Sequence, residues 1–290
     1  MKAKYINPFT DFGFKKIFGE EASKPLLIDF LNALLPQANK IVGLAFKNTE
    51  QLGQTEADRK AIYDIYCENE RGEKFIVELQ KAKQNYFKER MVYYSTFPIT
   101  EQAEKGEWNY NLKAVFCVGI LDFTFNDYES EPERSEVVHT IQLKNQHGKP
   151  FYKKLTYVYL EMPNFLKSEQ DLNSRLDQWL YFIRHLEDFE TIPSIFRDDV
   201  FASAFEKAEL SKLDQTELHK YENSLKIYRD LKGVLDTAFG DGKIEGKVEG
   251  KIEGKIEGKI EVALSMKRKG FPVKDIAELT GLTEAEIERL

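Results

Sequence analysis

The fold of this chain is decided by one short segment, residues 61–80, which reads AIYDIYCENERGEKFIVELQ. Apolar and polar side chains alternate on both sides of the triplet at 70–72, as expected for two antiparallel strands joined by a turn. A three-residue loop that ends in glycine fits a type I turn closed by a left-handed residue. The predicted hairpin then places Asp64 directly opposite Glu78.

The two faces of this predicted hairpin differ in character. Because side chains alternate along a strand, one face is uniformly apolar or aromatic and should pack on the core; it consists of Tyr63, Ile65, Cys67, Phe75, Val77 and Leu79. The second face carries Asp64 and Glu78 among the side chains of Ile62, Tyr66, Ile76 and Gln80. These apolar neighbours indicate that the second face is also partly covered.

Two carboxylates that face each other across a strand pair repel unless a cation lies between them. Carboxylates among buried apolar groups need such a partner, and Mg²⁺ prefers one or two carboxylates together with water and phosphate oxygens. Asp64 and Glu78 are therefore a candidate metal site. The alternative is a hairpin whose polar face is simply solvated.

The composition indicates a globular protein with a sizeable core. Of 290 residues 42% are hydrophobic, with 21 Phe and 14 Tyr, enough for one large domain or two smaller ones. The net charge of −7 argues against a surface coated in basic residues, and leaves a local basic groove open. The cysteines and histidines show no zinc-ligand spacing. Lacking an apolar signal core or a transmembrane run, the chain is expected to be cytoplasmic, with no membrane partner.

Periodicity predicts an α/β sandwich with a mixed sheet. The predicted elements are, in chain order, a helix over 24–35, strands over 41–46, 61–68 and 74–80, a helix over 84–105, and strands over 112–123, 137–143 and 155–160. The continuous apolar run at 112–123 is typical of a central strand buried on both faces. From about residue 166 the pattern is helical.

A strict repeat, Gly-Lys-Ile/Val-Glu, occurs five times over residues 242–261. On a helix it places like charges at i,i+4, which is unfavourable, and each glycine costs roughly 1 kcal/mol relative to alanine. Pairing with a second helix would oppose the Lys row of one to the Glu row of the other, and a period of four favours a right-handed crossing. The alternative is a flexible spacer. Two short helices around Thr280-Gly281 are predicted to follow.

The chain resembles the PD-(D/E)XK nuclease superfamily in its order of elements, with Asp64 on the second strand and Glu78-Leu79-Gln80 on the third. More narrowly, it resembles the recombination-promoting nucleases, also described as PD-(D/E)XK nuclease family transposases. Four stretches carry the closer resemblance: TDFGFKKIFG at 10–19, the Asp64 strand with VELQ at 77–80, RMVYY at 90–94, and the repeats with the short tail.

The resemblance implies a restriction-endonuclease-like core, in which a mixed central sheet is flanked by helices and followed by a helical C-terminal region. We therefore expect a nuclease-like domain over 1–165, a helical extension over 166–240, a repeat helix or linker over 241–262, and a small helix-turn-helix-like tail over 263–290.

The implied activity is metal-dependent endonucleolytic hydrolysis of DNA phosphodiester bonds, in support of recombination or mobile-element transfer. Asp64 and Glu78 would hold Mg²⁺, or Mn²⁺ in its place, and the metal would activate a water that Gln80 positions. The superfamily often has lysine where Gln80 stands, and glutamine brings no charge. Lys60, Lys81 or Lys83 could supply this charge from nearby, although strand alternation does not place Lys81 on the same face as the acids.

Four further residues are candidates to line the site. Asp11 and Lys15 approach it from the N-terminal segment in one interpretation, and are a helix cap and a surface lysine in the other. Arg90 and Tyr94 lie one helical turn apart and would face phosphate; alternatively Tyr94 packs on the sheet while Arg90 extends along it to solvent.

A second functional interpretation is a catalytically weak nuclease fold that serves as a DNA-binding or oligomeric assembly module. The expected partners are DNA and a second copy of the chain, in a homodimer formed through the C-terminal helical region. A homodimer suits an enzyme that has one site per chain and cuts both strands.

Overall fold

The computed structural model describes residues 3–36, 38, 40–51, 61–104, 106–125, 127 and 130–290. The strands are β1 Leu44–Phe46, β2 Glu50–Gln51, β3 Ala61–Ile62, β4 Ile65–Asn69, β5 Lys74–Gln80, β6 Val115–Leu121, β7 Val138–Lys144 and β8 Pro150–Glu161. The α-helices are α1 Asp11–Phe18, α2 Lys24–Leu34, α3 Phe87–Thr100, α4 Glu131–Ser135, α5 Arg175–His185, α6 Asp199–Ala208, α7 Gln215–Arg268, α8 Val273–Thr280 and α9 Glu284–Arg289.

The main sheet has six strands in the order β1-β4-β5-β6-β8-β7, and β2 pairs with β3 in a separate two-stranded sheet. β5, β6 and β8 run parallel, while the outer pairs are antiparallel. Every residue of β6 is buried, as its continuous apolar sequence predicts. The mixed α/β architecture expected from the sequence is thereby confirmed.

Helices cover both faces of the sheet. On one face α1, α2, α5 and α6 enclose a large core around Trp179, which has no exposed surface. On the other face α3 packs Phe87 and Met91 against Tyr66, Ile76 and Tyr159, among others. The prediction that the second face of the hairpin is also covered is therefore confirmed.

The hairpin of β4 and β5 has the predicted register. Ile65 pairs with Val77 and Cys67 with Phe75, so Asp64 lies one step further on, opposite Glu78. Gly72 closes the turn with a φ of +77°, a conformation that favours glycine.

The predicted strand over 61–68 was wrong in one respect. The strand is interrupted at Tyr63 and Asp64, between β3 and β4. Because the break resets the alternation, Tyr63 lies with Tyr66 on the face of α3 and not with Ile65 on the larger core. Ile62 is 61% exposed.

Other differences concern the extent of elements. α3 continues through Pro98 to Thr100, and β8 is 12 residues long. Its first half is largely exposed and its second half is buried. The polar first half explains why hydrophobic alternation located only the end of this strand.

The chain divides into two compact units, Met1–Asp230 and Leu231–Leu290, and the boundary falls within α7. In the second unit the repeat is helical and its side chains are mostly exposed, while α8 and α9 close over a small core of Ala263, Ile276 and Ile287. Thr283 and Glu286 form a capping box at the start of α9. Among the described helices, none combines the length and the apolar character needed to cross a membrane.

Candidate active site

The carboxylates of the two acids singled out by the sequence both accept from backbone N–H groups across the hairpin. The backbone N–H of Asp64 donates to Oε1 of Glu78 at 3.1 Å, and the N–H of Leu79 donates to Oδ2 of Asp64 at 2.8 Å. The break in the strand before β4 makes the first of these bonds possible, because it frees the N–H of Asp64 from strand pairing. Asp64 and Glu78, called the acid pair from here on, are thus locked together where β4 begins.

Burial makes the charged form of the acid pair costly. Glu78 is only 7% exposed; burial, and then the charge of Asp64, raise its pKa above the ordinary range. Burial likewise raises the pKa of Asp64, against the opposing effects of the Leu79 hydrogen bond and of Lys15. A buried and a partly buried acid, both with raised pKa values, are a common mark of a functional site.

Helix α1 brings a charged pair to the acid pair. Thr10 caps this helix by accepting from the N–H of Gly13, and Nζ of Lys15 lies 2.9 Å from Oδ1 of Asp11. Partial burial opposes the charge of Lys15, but its bond to Asp11 and the charges of Asp11, Asp64 and Glu78 outweigh that effect and raise its pKa. The alternative in which Asp11 caps the helix was wrong, because Thr10 is the cap. Lys15 is half-exposed and lies within electrostatic reach of the acids.

Helix α3 brings a second cation from the opposite side of the sheet. Arg90 donates through Nη2 to Oε1 of Gln80 and through Nη1 to Oε1 of Gln84. The positive charge of Arg90 lowers the pKa of Glu78, although not enough to offset burial. Tyr94, one turn further on, stacks edge-to-face on Tyr63 at 5.4 Å, and its pKa is raised by burial and then by the charge of Glu78.

Of the lysines considered as replacements for the missing charge, Lys81 is partly buried and interacts electrostatically with Asp64. Burial lowers its pKa, while the charges of Asp11 and Asp64 act in the opposite direction. Strand alternation does not place Lys81 on the face of the acids, and β5 ends one residue before it, at Gln80. Lys83 is exposed, and Lys60 lies outside the described residues.

The donor set of the acid pair suits a hard divalent cation. Within the part of the chain that the structure describes, Oδ1 of Asp64 and Oε2 of Glu78 accept no hydrogen bond, so each acid keeps one oxygen available. Across the same residues, no three side chains of His, Cys, Asp or Glu gather closely enough to hold a metal by themselves. A cation bound by two carboxylates would complete its shell with water and phosphate oxygens, as Mg²⁺ prefers.

A family model for PD-(D/E)XK nuclease family transposases matches residues 8–238. No curated protein and no solved structure matches the chain significantly. The matched region includes the whole six-stranded sheet, both acids and the helices that carry Lys15 and Arg90. The chain therefore belongs to the PD-(D/E)XK nuclease family transposases.

Proposed function

We propose that this protein is a metal-dependent DNA endonuclease that hydrolyses phosphodiester bonds. The observation that carries the proposal is the acid pair: a buried and a partly buried carboxylate with raised pKa values, each with an oxygen available, between cations from α1 and α3. Membership of a nuclease family supports DNA as the substrate. The family description further supports a role in recombination or mobile-element transfer.

In this proposal Asp64 and Glu78 hold Mg²⁺ or Mn²⁺, and Gln80 is the third residue of the catalytic site. A bound metal of this kind lowers the pKa of its water and stabilises charge on the scissile phosphate. Lys15 and Arg90 would counter the negative charge of an approaching phosphate. Asp11 would hold Lys15 in place, and Tyr94 would form one wall of the site.

The proposal is tested with supercoiled plasmid and Mg²⁺ or Mn²⁺. We expect the wild type to nick or linearise the plasmid and the Asp64→Ala and Glu78→Ala variants to lose activity at least about 100-fold. Glu131→Ala, at a remote and exposed carboxylate, serves as the matched control. Cleavage that survives both site substitutions would place the active site elsewhere, and a folded wild type that does not cleave would contradict the proposal.

A second candidate function is an assembly module, and one observation favours it. The repeat in α7 presents a row of exposed apolar side chains, which are Ile244 (66% exposed), Val248 (54%), Ile252 (55%) and Ile256 (48%). A Cβ atom added at any of the five repeat glycines would meet nothing within 4 Å, so the glycine row is open as well. We propose that a second copy of this helix covers the row in a homodimer, which is compatible with either function.

The homodimer is tested by reversing one charged row at a time. Because the Lys row of one copy faces the Glu row of the other, replacing the acids Glu249, Glu253 and Glu257 with Lys should give monomers. The reciprocal exchange of Lys247, Lys251 and Lys255 for Glu should do the same, and an equal mixture of the two variants should dimerise again. Light scattering after size-exclusion chromatography measures the mass. A monomeric wild type, or dimers in both variants alone, would contradict the proposed pairing.

A further inference from the structure

We propose that Arg90 is the catalytic cation that contacts the scissile phosphate at the acid pair, and that Gln80 is the positioning residue that holds Arg90 there. This inference rests on the proposed nuclease function. It assigns to Gln80 a role other than the orientation of water.

The amide of Gln80 already has a protein partner at each end. Its Nε2 donates to the carbonyl of Ala82 at 2.8 Å, and its Oε1 accepts from Nη2 of Arg90. The side chain is 8% exposed, so its orientation is fixed by packing as well as by these bonds. Because its oxygen accepts a hydrogen bond from the guanidinium, the side chain of Gln80 positions Arg90.

The guanidinium of Arg90 is held by neutral groups, which leave its charge intact. Its two hydrogen-bonded acceptors, the side chains of Gln80 and Gln84, are both amides. The rings of Phe87 and Tyr94 lie 5.3 Å and 5.9 Å from its central carbon, which adds cation–π stabilisation without neutralising it. By contrast, Lys15 is paired with Asp11 at 2.9 Å. The charge of Arg90 is therefore less compensated than that of Lys15.

One donor of Arg90 has no partner. Nε is buried and finds no hydrogen-bond acceptor in the described ranges of the chain. A buried donor without a partner is unfavourable, so this group would gain from an added acceptor. A phosphate oxygen beside the acid pair would complete the donor set of this guanidinium after a small side-chain adjustment.

The position of Arg90 relative to the acids follows from the strand. Glu78 and Gln80 are two residues apart in β5 and therefore share a face, and Arg90 is bonded to Gln80 from α3, which covers that face. A guanidinium at this point would stabilise the charge that develops on a phosphate during hydrolysis. Arg90 in α3 would thus supply the positive charge that a lysine at position 80 of β5 would supply.

The test is a double-mutant cycle measured as kcat and KM for plasmid or duplex cleavage. We expect Arg90→Met to lower kcat about 100-fold or more, Arg90→Lys to retain part of the activity, and Gln80→Met to lower kcat less. Combining Gln80→Met with Arg90→Met should add little further loss, since both act through one contact. Gln80→Lys in the Arg90→Met background should recover activity, because it returns a cation to the same face. Arg134→Met, at an exposed remote site, is the matched control.

The outcomes separate this inference from the proposed function. A wild type that does not cleave DNA with either metal overturns both. A wild type that cleaves, together with a folded Arg90→Met variant of equal kcat, overturns only the role of Arg90. Independent losses that multiply in the double variant, with no recovery from Gln80→Lys, would assign Gln80 its own catalytic role and overturn the positioning role proposed here.

Discussion

Asp64 and Glu78 are held by backbone N–H groups that favour their charged forms, but burial outweighs these contacts and makes both acids hard to ionise. The N–H of Asp64 bonds to Glu78, the N–H of Leu79 bonds to Asp64, and burial is the largest factor that raises the pKa of each acid. Without a metal, the folded protein therefore retains protons that the unfolded chain releases at lower pH. Without a metal, the acid pair therefore lowers the free energy of unfolding at neutral pH, and a bound cation would remove this penalty.

The pH dependence of stability follows from these shifts. A carboxyl group whose pKa is raised by folding contributes no penalty below its unfolded pKa near 4, and an increasing one as the pH rises towards its folded value. We therefore expect Glu78→Gln to be more stable than the wild type in EDTA at pH 7, by about 1 kcal/mol or more. The difference should shrink as the pH falls to 4.

Urea unfolding at a series of pH values measures this difference. Asp11, Lys15, Lys81 and Arg90 also act on the acid pair, so the wild type and the variant are compared at each pH to cancel their contributions. Glu131→Gln, at an exposed acid, should show no such trend. A Glu78→Gln variant whose advantage is constant or falls with rising pH would contradict the assigned shift.

At the scale of elements, α6 depends on a residue that performs two tasks. Asp198 caps this helix by accepting from the N–H groups of Val200 and Phe201 at 3.1 and 3.2 Å. It also accepts two bonds from the guanidinium of Arg175, at 2.7 and 3.0 Å. The same arginine donates to Asp29 at 2.6 Å, so α2, α5 and α6 meet at one polar junction over the larger core.

We expect Asp198→Ala to lower the free energy of unfolding by about 1–2 kcal/mol, because the cap and the ion pair are lost together. Asp198→Asn should cost less, since its side-chain oxygen can still cap the helix. The neighbouring exposed residue gives a matched control, and Asp199→Ala should change stability by less than about 0.5 kcal/mol. Chemical unfolding followed by circular dichroism tests this; equal losses in Asp198→Ala and Asp199→Ala would contradict it.

The sequence predicted those elements whose periodicity and turn chemistry agree. The hairpin register followed from alternation and from Gly72, and both acids of the site followed from that register. What could not be read from alternation was its interruption at Tyr63 and Asp64, where the chain passes from β3, paired with β2, to β4, paired with β1 and β5. The bond between Arg90 and Gln80 depends on where α3 begins, and that helix starts after Tyr86, in a left-handed conformation with φ of 62° that no local pattern indicates.

At the scale of the whole molecule, metal binding should be visible as stability. A ligand that binds only the folded state at 100 times its Kd adds about 2.7 kcal/mol, or roughly 5–10 °C in Tm for a unit of this size. We expect Mg²⁺ or Mn²⁺ to raise the Tm of the wild type in this way, and by much less in Asp64→Asn and Glu78→Gln. Differential scanning fluorimetry with and without EDTA measures it. An equal rise in the wild type and both variants would place the metal away from the acid pair.

The four-residue repeat allows the number of units in α7 to change without breaking its rows of side chains. One unit advances a helix by about 6 Å and turns it by about 400°, which is one full turn and about 40°. Gaining or losing a unit therefore leaves the Lys, Glu and Ile rows continuous, whatever the number of units. In the proposed homodimer, copies with different numbers of units would therefore still present matching Lys and Glu rows to each other.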